Sequence, residues 1–379
     1  MDSRYVCYGA NIICNNTAYM KNIAVIGDGV TGCAVKKYIK QSDIFTLVDI
    51  YDADTVVVSP GIAPDKYPET TAKCISEIEF SILILKHQKK NIKIIGVTGT
   101  NGKTTVVAGI AHTCEIPAYG NIGTPLISAV NHIKNNDTIV LELSSYQLAT
   151  TSSLKCDIAV ILNISEDHLQ WHKTFEAYTS AKLSIIRDDI FQNLIIPKSM
   201  IKKIDKLKFE KSKIIPIEDC VLSYRGMGLS EHNKISFSVI ERVSELCNVE
   251  KDSIAVMLKT FKIPPYRCQK IYEDDKRIII NDSKSTNMDS TLHALKGLKV
   301  TDVLILSGQA KGMFSNEWAN YIYKNCKYVY ASGDLSKNQH LFPKQLRKKI
   351  TFCETLKEAV IEAINICKVG TILFSPGAA

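Results

Sequence analysis

The stretch Ile92-Lys93-Ile94-Ile95-Gly96-Val97-Thr98-Gly99-Thr100-Asn101-Gly102-Lys103-Thr104-Thr105 decides how the rest of the chain is read. Its opening residues have the short, apolar, β-branched character of a buried strand. A glycine-rich loop follows, and a helix-compatible run begins at Lys103. Such a loop turns backbone N–H groups and a helix N-terminus toward phosphate oxygens. Lys103 would reach the β- and γ-phosphates, and the Thr104 hydroxyl would ligate Mg²⁺. The strict spacing G-x-x-x-x-G-K-[ST] is not met, because Val97 stands where the first glycine belongs. The strand–loop–helix setting favours a phosphate site over a chance Gly/Thr turn.

Working outward, apolar strand-like runs recur with helical stretches between them. Upstream lie Ile23-Ala24-Val25-Ile26 and Thr55-Val56-Val57-Val58, the latter running into a Ser59-Pro60-Gly61 turn. Downstream, strands are expected at Thr138–Leu143 and Ile158–Asn163, and a helix at Thr174–Arg187. Between Arg187 and Met227 the periodicity is too poor to define elements. Helices are expected at Ser238–Val249 and Ser253–Thr260, before Ile263-Pro264-Pro265 breaks the pattern. Four further strands are expected at Arg277–Ile280, Val303–Leu306, Lys327–Tyr330 and Thr371–Phe374. Strands alternating with helices predict α/β architecture with parallel sheets throughout. The divisions fall near residues 1–88, 89–264 and 265–379.

Gly27-Asp28-Gly29-Val30-Thr31-Gly32 follows the first strand. The pattern G-x-G-x-x-G there reads as a dinucleotide fingerprint, a site for a different nucleotide, or a tight structural turn.

Composition narrows the class. The chain has 379 residues, of which 45% are hydrophobic and 23% charged, so it is expected to fold as a globular protein of two or three domains. No apolar run approaches the ~18 residues of a membrane span. The start, Met1-Asp2-Ser3-Arg4, lacks a secretory pattern, and a cytoplasmic location is expected. The 12 cysteines show neither C-x-x-C nor zinc-finger spacing and read as reduced thiols. The net charge of +8 comes mostly from dispersed lysines, which suits a solvated surface rather than nucleic-acid binding.

Taken together, the motifs resemble those of the Mur ligases. The loop Thr98-Gly99-Thr100-Asn101-Gly102-Lys103-Thr104 is similar to that family's ATP loop, which departs from the strict motif in the same way. Ser59-Pro60-Gly61-Ile62, Gly120-Asn121-Ile122-Gly123, Glu142-Leu143-Ser144-Ser145-Tyr146-Gln147-Leu148, Asn163-Ile164-Ser165-Glu166-Asp167-His168, Ala181-Lys182, His232-Asn233 and Asn281-Asp282-Ser283-Lys284-Ser285-Thr286-Asn287 match in order. Among Mur ligases they favour the D-glutamate-adding branch. The resemblance implies three domains: a Rossmann-like N-terminal domain for the UDP-substrate, a central P-loop ATPase-like parallel sheet, and a Rossmann-like C-terminal domain for the amino acid. It also implies ATP and Mg²⁺, with UDP-N-acetylmuramoyl-L-alanine and D-glutamate as small-molecule substrates of a monomeric enzyme that uses neither membrane nor nucleic acid.

The resemblance assigns roles residue by residue. Lys103, Glu142, His168 and Lys182 are implied as catalytic, with Thr104, Glu142, His168 and a carbamylated Lys182 around the metal. Gly99, Thr100, Asn101, Gly102, Lys103, Thr104 and Thr105 would hold ATP phosphates. His232 and Asn233 would lie on the adenine side, and Arg267 and Asp282 would grip ribose and phosphates. Gly29, Thr31, Gly32, Ser59 and Asn121 would line the UDP-substrate path, and Lys284, Thr286 and Lys311 would receive D-glutamate. A nucleotide-binding pseudo-ligase, or another Mur or folylpolyglutamate synthase-type ligase, are the alternatives. The first segment is short, Tyr266 stands where the family usually has His, and the sequence stops at Ser375-Pro376-Gly377-Ala378-Ala379. A reduced D-glutamate pocket is expected from that last feature.

Overall fold

The computed structural model describes residues 20–201, 212–217, 231–298, 300–309 and 312–378, without the side chains at 199 and 231–234. Three sheets follow one another along the chain. The first has four parallel strands in the order Thr46–Leu47, Asn22–Ile26, Thr55–Val58, Lys73–Ile75. All four residues of Thr55–Val58 are buried, which is why that strand is an unbroken run rather than an alternating one.

Helix Glu77–His87 joins this sheet to the next. Ser76 caps it, accepting from Glu79 N at 3.0 Å. Eight of its residues are buried, two of them acidic. Glu79 accepts from the backbone N–H groups of Ser152 and Ser153 at 2.9 and 2.7 Å. Glu77 accepts from Ile127 N at 2.6 Å, and burial pushes its carboxyl up to about 7. One apolar cluster contains Ile23, Val57 and Phe80 with Ile139, Leu141 and Leu194, so the first two sheets share a core.

The second sheet is parallel, in the order Ser212–Ile217, Gln192–Pro197, Ile158–Ile161, Lys93–Thr98, Thr138–Glu142, Ala118–Gly120. From Lys93–Thr98 the chain crosses to the edge strand Ala118–Gly120 and then reverses, returning through Thr138–Glu142 and past Lys93–Thr98 to Ile158–Ile161. The crevice at its C-terminal end is where doubly wound sheets collect ligands. Gln192–Pro197 and Ser212–Ile217 fall in the stretch whose periodicity defined no element. Helix Phe175–Leu183 is shorter than the expected Thr174–Arg187, and helices Glu231–Leu246 and Lys251–Thr260 start earlier than expected.

The third sheet runs Gln269–Glu273, Arg277–Asn281, Gly370–Gly377, Thr301–Ser307, Cys326–Ser332, Ile350–Phe352. Parallel pairing fails at one edge, because Gln269–Glu273 pairs antiparallel with Arg277–Asn281. Asp274 makes that turn by accepting from Lys276 N and Arg277 N at 2.9 and 2.6 Å. Every residue of the edge strand is exposed, so no buried alternation marks it in the sequence. A second correction concerns Ser375-Pro376-Gly377. It reads as a strand end but continues the last strand, whose register with Thr301–Ser307 shifts between Ile305 and Ser307. That irregularity is the place where a sheet tolerates proline. The apolar clusters of this sheet draw on positions 268 to 378 alone. No helix among the described residues is long and apolar enough to cross a membrane.

Candidate active site

The glycine loop leaves strand Lys93–Thr98 and enters helix Lys103–Cys114. Asn163 clamps it from the neighbouring strand end. The Asn163 carbonyl accepts from Thr100 N at 3.0 Å, its side-chain oxygen accepts from Asn101 N at 2.8 Å, and its amide donates to Asn101 O at 3.1 Å. Thr100 Oγ1 lies 2.8 Å from the Tyr178 hydroxyl and accepts from Ser165 N at 3.0 Å. The loop conformation is thus held by protein contacts before any ligand arrives.

Lys103 Nζ donates to the carbonyls of Gly99 and Thr100 at 2.8 and 3.0 Å. Burial lowers its pKa, while Glu142 and Asp167 oppose that shift. Glu142 ends strand Thr138–Glu142. Its Oε1 accepts from Asn121 Nδ2 at 2.8 Å, and its Oε2 is buried without a hydrogen-bond partner. Gly120 has φ +98°, and a side chain there would strike the Glu142 carbonyl at 2.4 Å, so glycine is required beside the carboxylate.

A cavity of about 300 Å³ opens here. Thr100 through Thr105 form one wall, with Asn121, Glu142 and His168. Arg267, Asp282, Lys284 and Thr286 face them from the third sheet. Arg267 sits between Tyr266 and Cys268, both at positive φ (65° and 47°), and its Nε is buried without a partner. Two left-handed non-glycine residues flanking one position are a costly arrangement that tertiary contacts must hold. Asp282 supplies part of that hold, accepting from Cys268 N at 3.0 Å and from the hydroxyls of Ser285 and Ser375. Its carboxylate is therefore already committed to the protein, and burial raises its pKa.

Lys182 lies behind the loop. It is 1% exposed, donates to Gly99 O at 2.8 Å, and stands 4.8 Å from the centre of the Tyr178 ring. Burial, then the charge of Lys103, pulls its pKa well below the usual lysine range. His168 is held at φ 57° as the residue before helix Leu169–His172. Its Nδ1 is 3.5 Å from Asp167 Oδ1. The same oxygen accepts from His168 N at 2.8 Å, which keeps the carboxylate beside the imidazole.

A second cavity, about 500 Å³, shares Asp167, His168, Thr286 and Asn287 with the first. Gly61, Asp65 and Lys66 line it from the first sheet, and Met313 and Phe314 from the third. Trp171 Nε1 donates to Ile62 O at 3.1 Å, tying the Ser59–Ile62 turn to the helix that carries His168. Ser59 Oγ is buried without a partner, against the Gly27–Gly32 turn. Gly32 packs so closely that a side chain there would meet the Gly27 carbonyl at 1.9 Å. Helix Val30–Lys40 begins at that turn, with Gly29 as its cap and Thr31 in its first turn.

The structure thus gathers the loop residues, Asn121, Glu142, His168, Arg267, Asp282, Lys284 and Thr286 around one cavity. Lys182 is behind it, and Gly29, Thr31, Gly32 and Ser59 are at the first sheet. His232 and Asn233 fall in the first turn of helix Glu231–Leu246, with side chains outside the described set. Lys311 lies outside the described residues. Sequence reasoning left Asn287 unassigned. Its amide donates to Asn101 Oδ1 at 3.1 Å and to Asp167 Oδ2 at 3.0 Å, bridging third sheet and glycine loop. It also assigned nothing to His172, whose Nε2 is 2.9 Å from Ser145 Oγ and which burial pushes down to about 4. Among the described residues no three His, Cys, Asp or Glu side chains converge as a metal site.

A P-loop on a parallel sheet, roofed by a second α/β sheet and flanked by a first, is the architecture of the Mur ligases. Residues 97–218 match the Mur ligase middle domain. In fold the chain is similar to the MurF ligase from Thermotoga maritima in complex with ADP (TM-score 0.61, 15% identity, covering 95% of this chain and 92% of that one). It is also similar to UDP-N-acetylmuramate-alanine ligase MurC from Thermotoga maritima (TM-score 0.60, 18% identity, 95% and 96%). Among curated proteins, UDP-N-acetylmuramoylalanine--D-glutamate ligase of Buchnera aphidicola subsp. Schizaphis graminum is 33% identical over 363 residues, 86% of this chain and 80% of that protein. The enzyme of the same name from Prochlorococcus marinus is 31% identical over 367 residues, 86% and 78%. The chain belongs to the UDP-N-acetylmuramoylalanine--D-glutamate ligase family of Mur ligases.

Proposed function

We propose that this chain is the cytoplasmic, monomeric enzyme that joins D-glutamate to UDP-N-acetylmuramoyl-L-alanine, driven by ATP, in peptidoglycan precursor synthesis. Family membership supports the reaction. The observation that carries the site reading is the pair of cavities meeting across Asp167, His168, Thr286 and Asn287, one over the glycine loop and one reaching the first sheet. In this reading residues 1–88 hold the UDP-sugar, 89–264 hold ATP, and 265–379 hold D-glutamate.

A carboxylate is a poor electrophile, so the alanyl carboxylate must first be activated. Its oxygen attacks the γ-phosphorus, the bond to the β-phosphate oxygen breaks, and ADP leaves. The D-glutamate amine then attacks the acyl carbon, the C–O bond to phosphate breaks, and the amine gives up a proton as the amide forms. Phosphoryl transfer depends mainly on positioning and charge. Lys103 and the loop N–H groups hold the phosphates in line, and Arg267 adds a planar cation from the opposite wall. Lys284, Thr286 and Lys311 fit a dicarboxylate amino acid. Gly29, Thr31, Gly32 and Ser59 fit the diphosphate, with Asn121 nearer the reacting end.

The residues present fit Mg²⁺. Glu142 Oε2, buried and unpartnered, is the kind of oxygen a hard cation takes, and Thr104 follows Lys103 in the first turn of the helix that leaves the loop. His168 and a carbamylated Lys182 would hold a second ion. Bound Mg²⁺ would draw charge from the γ-phosphoryl group.

The test is phosphate release with ATP, Mg²⁺ and UDP-N-acetylmuramoyl-L-alanine, with and without D-glutamate. Release that requires D-glutamate and falls by at least ~100-fold in Lys103→Ala supports the proposal. Nucleotide binding with no turnover on any acceptor overturns it.

A further inference from the structure

Helix Lys103–Cys114, which starts at the glycine loop, packs along helix Glu231–Leu246. The contacts run in register. Gly102 is near Ser236, Gly109 lies against Ile240, and Thr113 Oγ1 is 2.7 Å from Ser244 Oγ. The helices are therefore parallel. At Gly109 they touch so closely that a side chain would come within 2.2 Å of Ile240. At the end remote from the nucleotide site, Cys114 Sγ is 3.6 Å from Ser244 Oγ. Cys247, bonded through its N–H to the carbonyls of Val243 and Ser244, continues the same face. The two thiols perturb one another, that of Cys114 being lowered and that of Cys247 raised, which sets them on neighbouring sides of Ser244. Both cysteines are partly exposed and neither is bonded covalently.

We propose that Cys114 and Cys247 form a reversible disulfide that staples the far end of this helix pair when a peroxide is present. Cys114 is the attacking sulfur, because the Cys247 thiol, its strongest influence, holds it down to about 7 despite burial. The Cys114 thiolate takes one oxygen of hydrogen peroxide, giving a sulfenic acid and releasing hydroxide. The Cys247 sulfur then attacks Cys114 Sγ, the S–O bond breaks, and a second hydroxide leaves; the two thiol protons convert both hydroxides to water. Two thiols have lost two electrons and peroxide has gained them. A thiol such as glutathione reverses the step by exchange. A bond across this separation in sequence removes many unfolded conformations, so the oxidised form gains thermal resistance. Helix Lys103–Cys114 is 12 residues long, which places the staple about 16 Å from Lys103, outside the reacting centre.

The experiment treats the full-length protein with hydrogen peroxide and maps cysteine pairs by peptide mass spectrometry under non-reducing conditions. The expected result is a Cys114–Cys247 peptide pair lighter by two hydrogens, together with a rise in unfolding temperature on the order of 5 °C that reductant abolishes. Cys247→Ser is expected to stop at the Cys114 sulfenic acid, trapped as a dimedone adduct. Absence of that peptide pair while exposed Cys33 oxidises overturns the proposal. So does a pair that forms without any change in unfolding temperature. Because the mapping is done on the natural chain, a poorly folding variant does not decide the matter.

Discussion

Lys103 and Lys182 donate to one and the same acceptor, the Gly99 carbonyl, each at 2.8 Å. Two ammonium groups so placed repel one another. Burial lowers the pKa of both, and that of Lys182, the more deeply packed, falls well below the usual lysine range, with the charge of Lys103 as its second cause. A neutral amine is the form that adds carbon dioxide to give a carbamate and a proton. Activity is therefore expected to fall roughly 10- to 100-fold in carbon-dioxide-free buffer and to return with bicarbonate. Carbon-13 NMR after labelled bicarbonate should show a carbamate signal that Lys182→Arg lacks. An unmodified, fully active enzyme would remove Lys182 from the metal site.

Trp171 gives its indole N–H to Ile62 O at 3.1 Å while its helix carries His168. Trp171→Phe keeps a ring and loses one hydrogen bond, worth about 1 kcal/mol. KM for the UDP-substrate should rise about fivefold, with kcat changed less than about twofold. Lys173→Met, which removes an exposed ion pair with Asp65 and an exposed 3.2 Å hydrogen bond to Gln170 O, should leave both nearly unchanged. A kcat loss equal to the KM effect in Trp171→Phe would contradict a role limited to binding.

Asn287 joins Asn101 and Asp167 across the cleft. In Asn287→Ala both partners lose a donor, and kcat is expected to drop by about tenfold or more, as a misplaced positioning group does. Steady-state kinetics with ATP varied will check it. Unaltered turnover would show that the bridge does not matter to chemistry.

Glu77 supplies a pH effect on stability. Its carboxyl rises from 4.5 to about 7 on folding because it is buried. Below about pH 4.5 both states are protonated and the group costs nothing. From there to about pH 7 the unfolded chain ionises while the folded one does not. The native state thus loses up to about 3 kcal/mol as pH rises through that window. Glu77→Gln keeps an acceptor for Ile127 N and escapes the loss. Urea unfolding near pH 5 and near pH 7.5 should show the variant gaining on the wild type as pH rises; a constant difference would refute the assignment.

Much of this architecture is legible in the sequence, for physical reasons that can be named. Buried parallel strands such as Thr55–Val58 carry unbroken β-branched runs, and the loop at Gly99–Thr105 has few conformations open to it. The edge strand Gln269–Glu273 escaped because exposure removes any pattern. The last strand's extension through Pro376 escaped because the register shift that permits it is a tertiary event. In the site, Lys182 and Glu142 could be placed from motifs. The unpartnered Glu142 Oε2 and the backbone strain around Arg267 could not, since each depends on what the remainder of the chain brings alongside. Asn287 was visible inside a motif, yet nothing local distinguishes a bridging amide from a solvated one.

Glu79 anchors a first-sheet helix to Ser152 and Ser153, and one apolar cluster runs through both of the first two sheets, whereas the third sheet's clusters are its own. Differential scanning calorimetry should therefore resolve two cooperative melting units rather than three. Nucleotide filling the cavity between the glycine loop and Arg267 and Asp282 of the third sheet, as proposed, should raise the temperature of both. The molecule is thus built as two blocks, one spanning the first two sheets and the other formed by the third.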